Sequence, residues 1–203
     1  MSTTAKTTAA KTTAQGAVHR GPSRQALLAM RPSELRQALS AGHPVNLSEL
    51  DDMEYRGIAL GLPAWLETLT WKTFRKVFCR DPATGHLRGW NVRVQQDGLD
   101  GAWQPIEVKG GPKTFGHYRV VPTHGRKVPP GCAQGVLIDY GLGGNGVLDP
   151  MRALRDPLVA LDEGSAERLL GWSYVDCFGW QLGTPSYFLL ERDCPLTHLR
   201  SPS

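Results

Sequence analysis

Leu87-Arg88-Gly89-Trp90-Asn91-Val92-Arg93-Val94-Gln95 is the stretch that decides the fold class. Trp90, Val92 and Val94 fall on one side of an extended chain and Asn91, Arg93 and Gln95 on the other. Such strict period-two alternation belongs to a strand. Upstream, Asp81-Pro82-Ala83-Thr84-Gly85 is turn sequence. Before that turn, Trp71 to Phe78 divides into two strand faces, Lys72-Phe74-Lys76-Phe78 against Trp71-Thr73-Arg75-Val77. Trp71, Phe74 and Phe78 also fit helical spacing, but the turn and clean strand that follow favour a strand. Downstream, Asp97-Gly98 and Asp100-Gly101 lead into Trp103 to Val108, and Gly110-Gly111-Pro112 leads into Phe115 to Val121. Alternating turns and strands read as a meander.

Further strand candidates are Tyr55 to Leu60, Ala133 to Tyr140, Pro157 to Leu161, Leu169 to Cys177 and Tyr187 to Glu191, nine in all. Gly179 and Gly183-Thr184-Pro185 surround the last connection. The links are too short for crossover helices, which excludes a parallel sheet, and closing the sheet would remove its exposed edges. The expectation is a mainly β domain, an antiparallel meander closing into a barrel of about 8–10 strands. Ser23 to Met30 and Pro32 to Leu39 space their apolar residues three and four apart and predict two short helices separated by Pro32. Pro63 opens a further helical turn through Leu66 and Leu69. The chain thus divides into a basic Thr/Ala/Lys tail (1–22), a helical segment (23–49), a barrel (50–194) and a C-terminal tail (195–203).

The net charge of +4 suggests a nucleic-acid partner until the charges are located. Residues 1–24 carry Lys6, Lys11, Arg20 and Arg24 and no acid, which leaves 19 basic against 19 acidic residues in the remainder. A formally neutral domain lacks the cationic stripe that phosphate binding needs, so no nucleic-acid partner is expected. The tail repeats Ala-Lys-Thr-Thr-Ala at residues 5–9 and 10–14 with no large apolar side chain, a composition that cannot offset its ordering entropy. It has no apolar secretory core, and no stretch has the ~18 apolar residues needed to span a bilayer. A cytoplasmic location follows as an expectation, with Cys79, Cys132, Cys177 and Cys194 as reduced thiols. No Cys or His pair has metal-ligand spacing, so neither a metal nor another cofactor is expected.

Gly141-Leu142-Gly143-Gly144-Asn145-Gly146 matches G-x-G-x-x-G after an apparent strand. A dinucleotide site also needs a helix opening within the loop, and Pro150 arrives too soon for one. The run reads instead as a flexible loop at a barrel mouth. Charged groups among apolar strand residues are more informative, because a buried charge must be paired or used. Asp139 shares a face with Leu137, and Asp176 shares one with Trp172 and Tyr174. Turned inward, those carboxylates, together with His117, would suit general acid/base work. Tyr55, Arg56, Trp71, Trp90, Arg93, Tyr118, Tyr140, Trp172 and Tyr174 are the candidate ligand-binding side chains, with Arg93 or His117 fixing a polar end.

Tyr55-Arg56-Gly57, the segment Trp71 to Phe78, Gly171-Trp172-Ser173-Tyr174 and Phe188 to Arg192 together resemble lipocalin-like, calycin-type barrels. More narrowly, the chain is similar to uncharacterised bacterial proteins of the GXWXG/DUF4334 kind, over residues 50–193. The resemblance implies a barrel holding a small hydrophobic or amphipathic molecule. Two other functions stay open. One is a cofactor-independent isomerase, cyclase or dehydratase of specialised metabolism using Asp139, Asp176 or His117. The other is a protein-interaction module docking through residues 23–41.

Overall fold

The computed structural model describes residues 20–61, 71–177, 179–196 and 199. The tail repeat and the helical turn expected at Pro63 lie outside these residues. Two short helices come first, α1 (Arg24–Ala29) and α2 (Pro32–Ser40). Ser23 caps α1 by accepting from the Ala26 amide, and Pro32 opens α2 at a position where its missing N–H costs nothing.

Ten strands follow: β1 (Met53–Leu60), β2 (Thr73–Arg80), β3 (Leu87–Arg93), β4 (Glu107–Val108), β5 (Gly111–Pro112), β6 (Thr114–Pro122), β7 (Val136–Asp139), β8 (Leu154–Asp162), β9 (Ser165–Cys177) and β10 (Trp180–Pro195). Eight of them form a closed antiparallel barrel in the order β1-β10-β9-β8-β7-β6-β3-β2, while β4 and β5 form a separate hairpin. Leaving out that hairpin, each strand pairs with its sequence neighbour, and the first pairs with the last. The chain is a closed up-and-down meander.

Trp103 to Val108 is not the barrel strand expected of it. Trp103 adopts φ 52°, which breaks the extended chain, and the backbone of this segment meets the sheet at an isolated bridge between Val94 and Pro105 instead of along a ladder. The last connection also differs. The chain turns at Gly179, with φ 82°, and Gly183-Thr184-Pro185 lies within β10 as a register shift. Such a bulge bends a strand, and this one places Thr184, Pro185 and Ser186 on the rim of the barrel's open end.

Alternation along the strands sorts the core into layers. Tyr55, Phe78, Tyr118, Val120, Ile138, Leu158, Leu169 and Leu190 pack inside the barrel and fill one end of it. Three inward glycines make room for rings: a Cβ at Gly57 would strike Phe74, one at Gly171 would strike Phe188, and one at Gly89 would strike Tyr118. Outside, Leu27, Leu35 and Leu39 of the helices cover Val159, Leu170, Trp172, Tyr187 and Leu189. A smaller outer cluster joins Val77, Cys79, Trp90 and Val92.

Candidate ligand cavity

The end of the barrel away from that packed core holds a cavity of about 430 Å3, within the usual range for small-molecule sites. Its walls are mostly apolar: Ala59, Trp71, Phe74, Phe115, Met151, Leu154, Pro185, Tyr187 and Phe188. Trp71 stands at the rim, 4.9 Å from Phe115 between ring centroids, and the Arg93 guanidinium lies 3.8 Å above the Trp71 ring.

Polar groups gather on the cavity lining as Lys76, Asn91, Tyr140, Asp156 and Ser173. They come from five strands or strand ends, each delivered inward by strand parity. Lys76 sits between Phe74 and Phe78 on the inward face of β2, and Asp156 lies two residues before Leu158 on β8. Lys76 is 1% exposed and Asp156 2%. The Lys76 ammonium donates to the Tyr140 hydroxyl at 2.8 Å, and that hydroxyl donates to Asp156 Oδ2 at 2.9 Å. Lys76 Nζ also lies 3.6 Å from Asp156 Oδ2. Its remaining surroundings are aromatic, with Tyr118, Tyr140 and Phe188 ring centroids at 4.7, 5.2 and 5.1 Å.

These surroundings set the proton affinities. Burial pushes the Lys76 ammonium down to about 8, against the opposing pull of Asp156. Burial pushes the Asp156 carboxyl up, opposed by Lys76 and by the Ser173 and Tyr140 hydroxyls. Asp156 Oδ1 is buried without a well-formed hydrogen bond, although the Ser173 hydroxyl lies near enough to the carboxylate to favour its charged form. Burial and the nearby Asp156 raise Tyr140 well above the ordinary phenol range, so it keeps its proton at neutral pH. A lysine nearer to its neutral form than usual, a proton-bearing tyrosine and a carboxylate are thus joined in one chain of hydrogen bonds.

The glycine run is pinned rather than loose. The Asn145 side chain accepts from the His117 amide and donates to the His117 and Tyr140 carbonyls. Gly143 packs so closely on His117 that a Cβ would collide with its backbone. The loop therefore braces Tyr140.

Of the residues picked out by sequence, Trp71 and Tyr140 line the cavity, Tyr118 lies under Lys76, and Arg93 covers Trp71 at the rim. Tyr55 is inside the barrel but in its packed end, where its hydroxyl donates to the Ala166 carbonyl at 2.9 Å. Arg56 faces outward, over Trp103 and paired with Asp193 at 2.9 Å. Trp90 packs in the outer cluster with Val77, and Trp172 and Tyr174 pack under the helices. The structure does not bring Asp139, Asp176 and His117 together on the cavity. Asp139 is held by Arg155 at 3.1 Å and Arg126 at 3.6 Å, with its Oδ1 also accepting from Gly141 N. Asp176 sits near the end of β9, opposite Gln181 of β10. His117 lies against Trp90, 5.9 Å between ring centroids, and burial together with Arg88 lowers its proton affinity. Strand parity explains these outward placements, because Leu137 and Trp172, which share faces with Asp139 and Asp176, belong to the outer layer.

Lys76, Asn91, Asp156 and Ser173 were not among the sequence candidates. A signal for Lys76 was present: a cation flanked on its own face by Phe74 and Phe78 must be paired or used. Among the described residues no group of three or more His, Cys, Asp or Glu side chains is arranged to hold a metal ion.

No family model matches this chain, and neither a curated protein nor a solved structure shows significant similarity to it. Fold and site together define a closed eight-stranded antiparallel barrel with an apolar, polar-floored cavity at one end.

Proposed function

We propose that this chain is a lipocalin-like barrel that binds one small amphipathic molecule in its open end. The observation that carries the reading is the cavity itself: aromatic and aliphatic walls lead to the convergent polar group of Lys76, Tyr140 and Asp156. Mostly apolar walls with few fixed polar groups are the usual composition of a small-molecule site. The ligand's hydrocarbon or aromatic body lies against Phe74, Phe115, Leu154 and Phe188. Its polar end reaches towards Lys76, and Arg93 stacks on Trp71 at the entrance.

The up-and-down topology supports the lipocalin-like reading. The GXWXG signature that would mark the narrower kinship is absent from the chain. A reducing, cytoplasmic setting is consistent with four free cysteines, of which Cys79 and Cys132 are buried. Among the described residues no helix is long and apolar enough to cross a membrane.

Native mass spectrometry of the protein purified from its own host is the test. A single retained small molecule, lost in the cavity-filling variant Leu154→Trp, is the expected result. A bare protein that also fails to take up any member of a fatty-acid, fatty-alcohol and aromatic-acid panel would defeat the proposal.

A further inference from the structure

We infer that Lys76 forms a reversible imine with the carbonyl group of an aldehyde or ketone held in the cavity. This rests on the binding reading above and narrows its ligand class. Three observations meet at Nζ. Lys76 lines the cavity yet is almost wholly enclosed, so a bound carbonyl competes with little water. Its amine touches Tyr140 Oη at 2.8 Å, and Tyr140 is bonded in turn to Asp156 at 2.9 Å. Desolvation in an aromatic surrounding favours the neutral, nucleophilic amine, the usual means by which a lysine is activated towards carbonyls.

The chemistry closes on these residues without an oxidant or reductant. The lone pair of neutral Nζ attacks the carbonyl carbon while the C=O π electrons move onto oxygen. The nitrogen gives up a proton through Tyr140 to Asp156, which returns it by the same hydroxyl to the oxygen, giving a carbinolamine. The nitrogen's remaining proton takes the same route to the hydroxyl, which leaves as water as the C=N bond forms. On protonation, the iminium takes the place of the Lys76 ammonium beside Asp156, so the buried carboxylate keeps a cationic partner. A structural ion pair alone would need neither the cavity beside it nor the hydroxyl between the charges.

The experiment treats the wild-type protein at pH 8 with decanal, and separately with cinnamaldehyde, in the presence of cyanoborohydride, and maps the products by peptide mass spectrometry. The chain has seven lysines, so the other six serve as internal controls. Lys76 is expected to be labelled in preference to each of them by on the order of tenfold or more. Labelling should rise with pH through about 8; exposed lysines turn over near ~10.4. Lys76→Arg retains a cation for Asp156 and should lose the adduct. Binding of decanol and cinnamyl alcohol, measured by calorimetry on the same protein, separates the two ways of failing. Alcohol binding with labels confined to other lysines overturns the imine and leaves the binding reading intact. Neither binding nor labelling at Lys76 overturns both.

Discussion

Lys76 and Asp156 are the two charges that the barrel interior has to account for, and the arithmetic of burial decides what happens when one is removed. Exposed pairs such as Arg56 with Asp193 contribute about 0–1 kcal/mol. Breaking a buried pair leaves an uncompensated charge and costs roughly 3–5 kcal/mol. Lys76→Met should therefore lower the thermal midpoint sharply, whereas the double variant Lys76→Met/Asp156→Leu should recover most of the loss; equal midpoints for single and double variants in calorimetry would show that the two side chains are not coupled. The pH dependence follows from the direction of the shift. Lys76 in the fold gives up its proton near 8, whereas in the unfolded chain it does so near ~10.4. Between those values the unfolded state binds more protons, so native stability rises with pH. The midpoint of the wild type should thus gain on that of the double variant from pH 8 to pH 10. A shrinking difference would mean that the fold holds Lys76 above its ordinary value.

Strands and loops hold these side chains in place, and glycine is the residue that lets them do so. On β9, Gly171 leaves room for the Phe188 ring, which forms part of the cavity wall and lies 5.1 Å from Lys76 Nζ. Gly171→Ala adds one methyl group where no space exists and is expected to cost about 1–3 kcal/mol, the usual range for overpacking. It should weaken ligand uptake as well, because Phe188 can yield only by moving; unchanged denaturant midpoints would place the ring elsewhere. The loop after β7 offers a second test. Asn145→Ala removes the three hydrogen bonds that tie the loop to His117 and Tyr140. The backbone groups left unpaired cost about 1–3 kcal/mol each where they stay buried. Amide exchange at His117 should accelerate by orders of magnitude, and unchanged protection there would show that the loop is held by packing alone.

For the whole molecule, the question is what the N-terminal helices do. They do not plug the barrel; α2 packs on the outer faces of β8, β9 and β10, with Arg36 4.2 Å above the Trp172 ring. Three buried leucines, Leu27, Leu35 and Leu39, leave water there, each contributing about 1.5–3 kcal/mol. A chain lacking residues 1–41 should accordingly expose an apolar sheet face, bind a hydrophobic dye and melt at a lower temperature. A truncated barrel with an unchanged midpoint would free the helices for an interaction role.

Period-two alternation, turn residues and short links made the antiparallel meander legible without coordinates, because strand pairing between sequence neighbours is a local property. Leu87 to Arg93 and the two helices illustrate this. The segment from Trp103 shows where it fails, since a positive φ at one residue outweighed a plausible strand pattern. The site was harder to read for the same reason that the fold was easy. Alternation shows which side chains share a face but is silent on which face turns inward. Asp139 and Asp176 share faces with bulky apolar residues, yet those residues belong to an outer layer that the helices and loops cover. A barrel with apolar packing on both sides removes the polar-out rule on which such an inference depends. Only closure of the sheet brought Lys76, Tyr140 and Asp156 together from β2, the end of β7 and β8, since groups far apart in sequence meet only once every register is set.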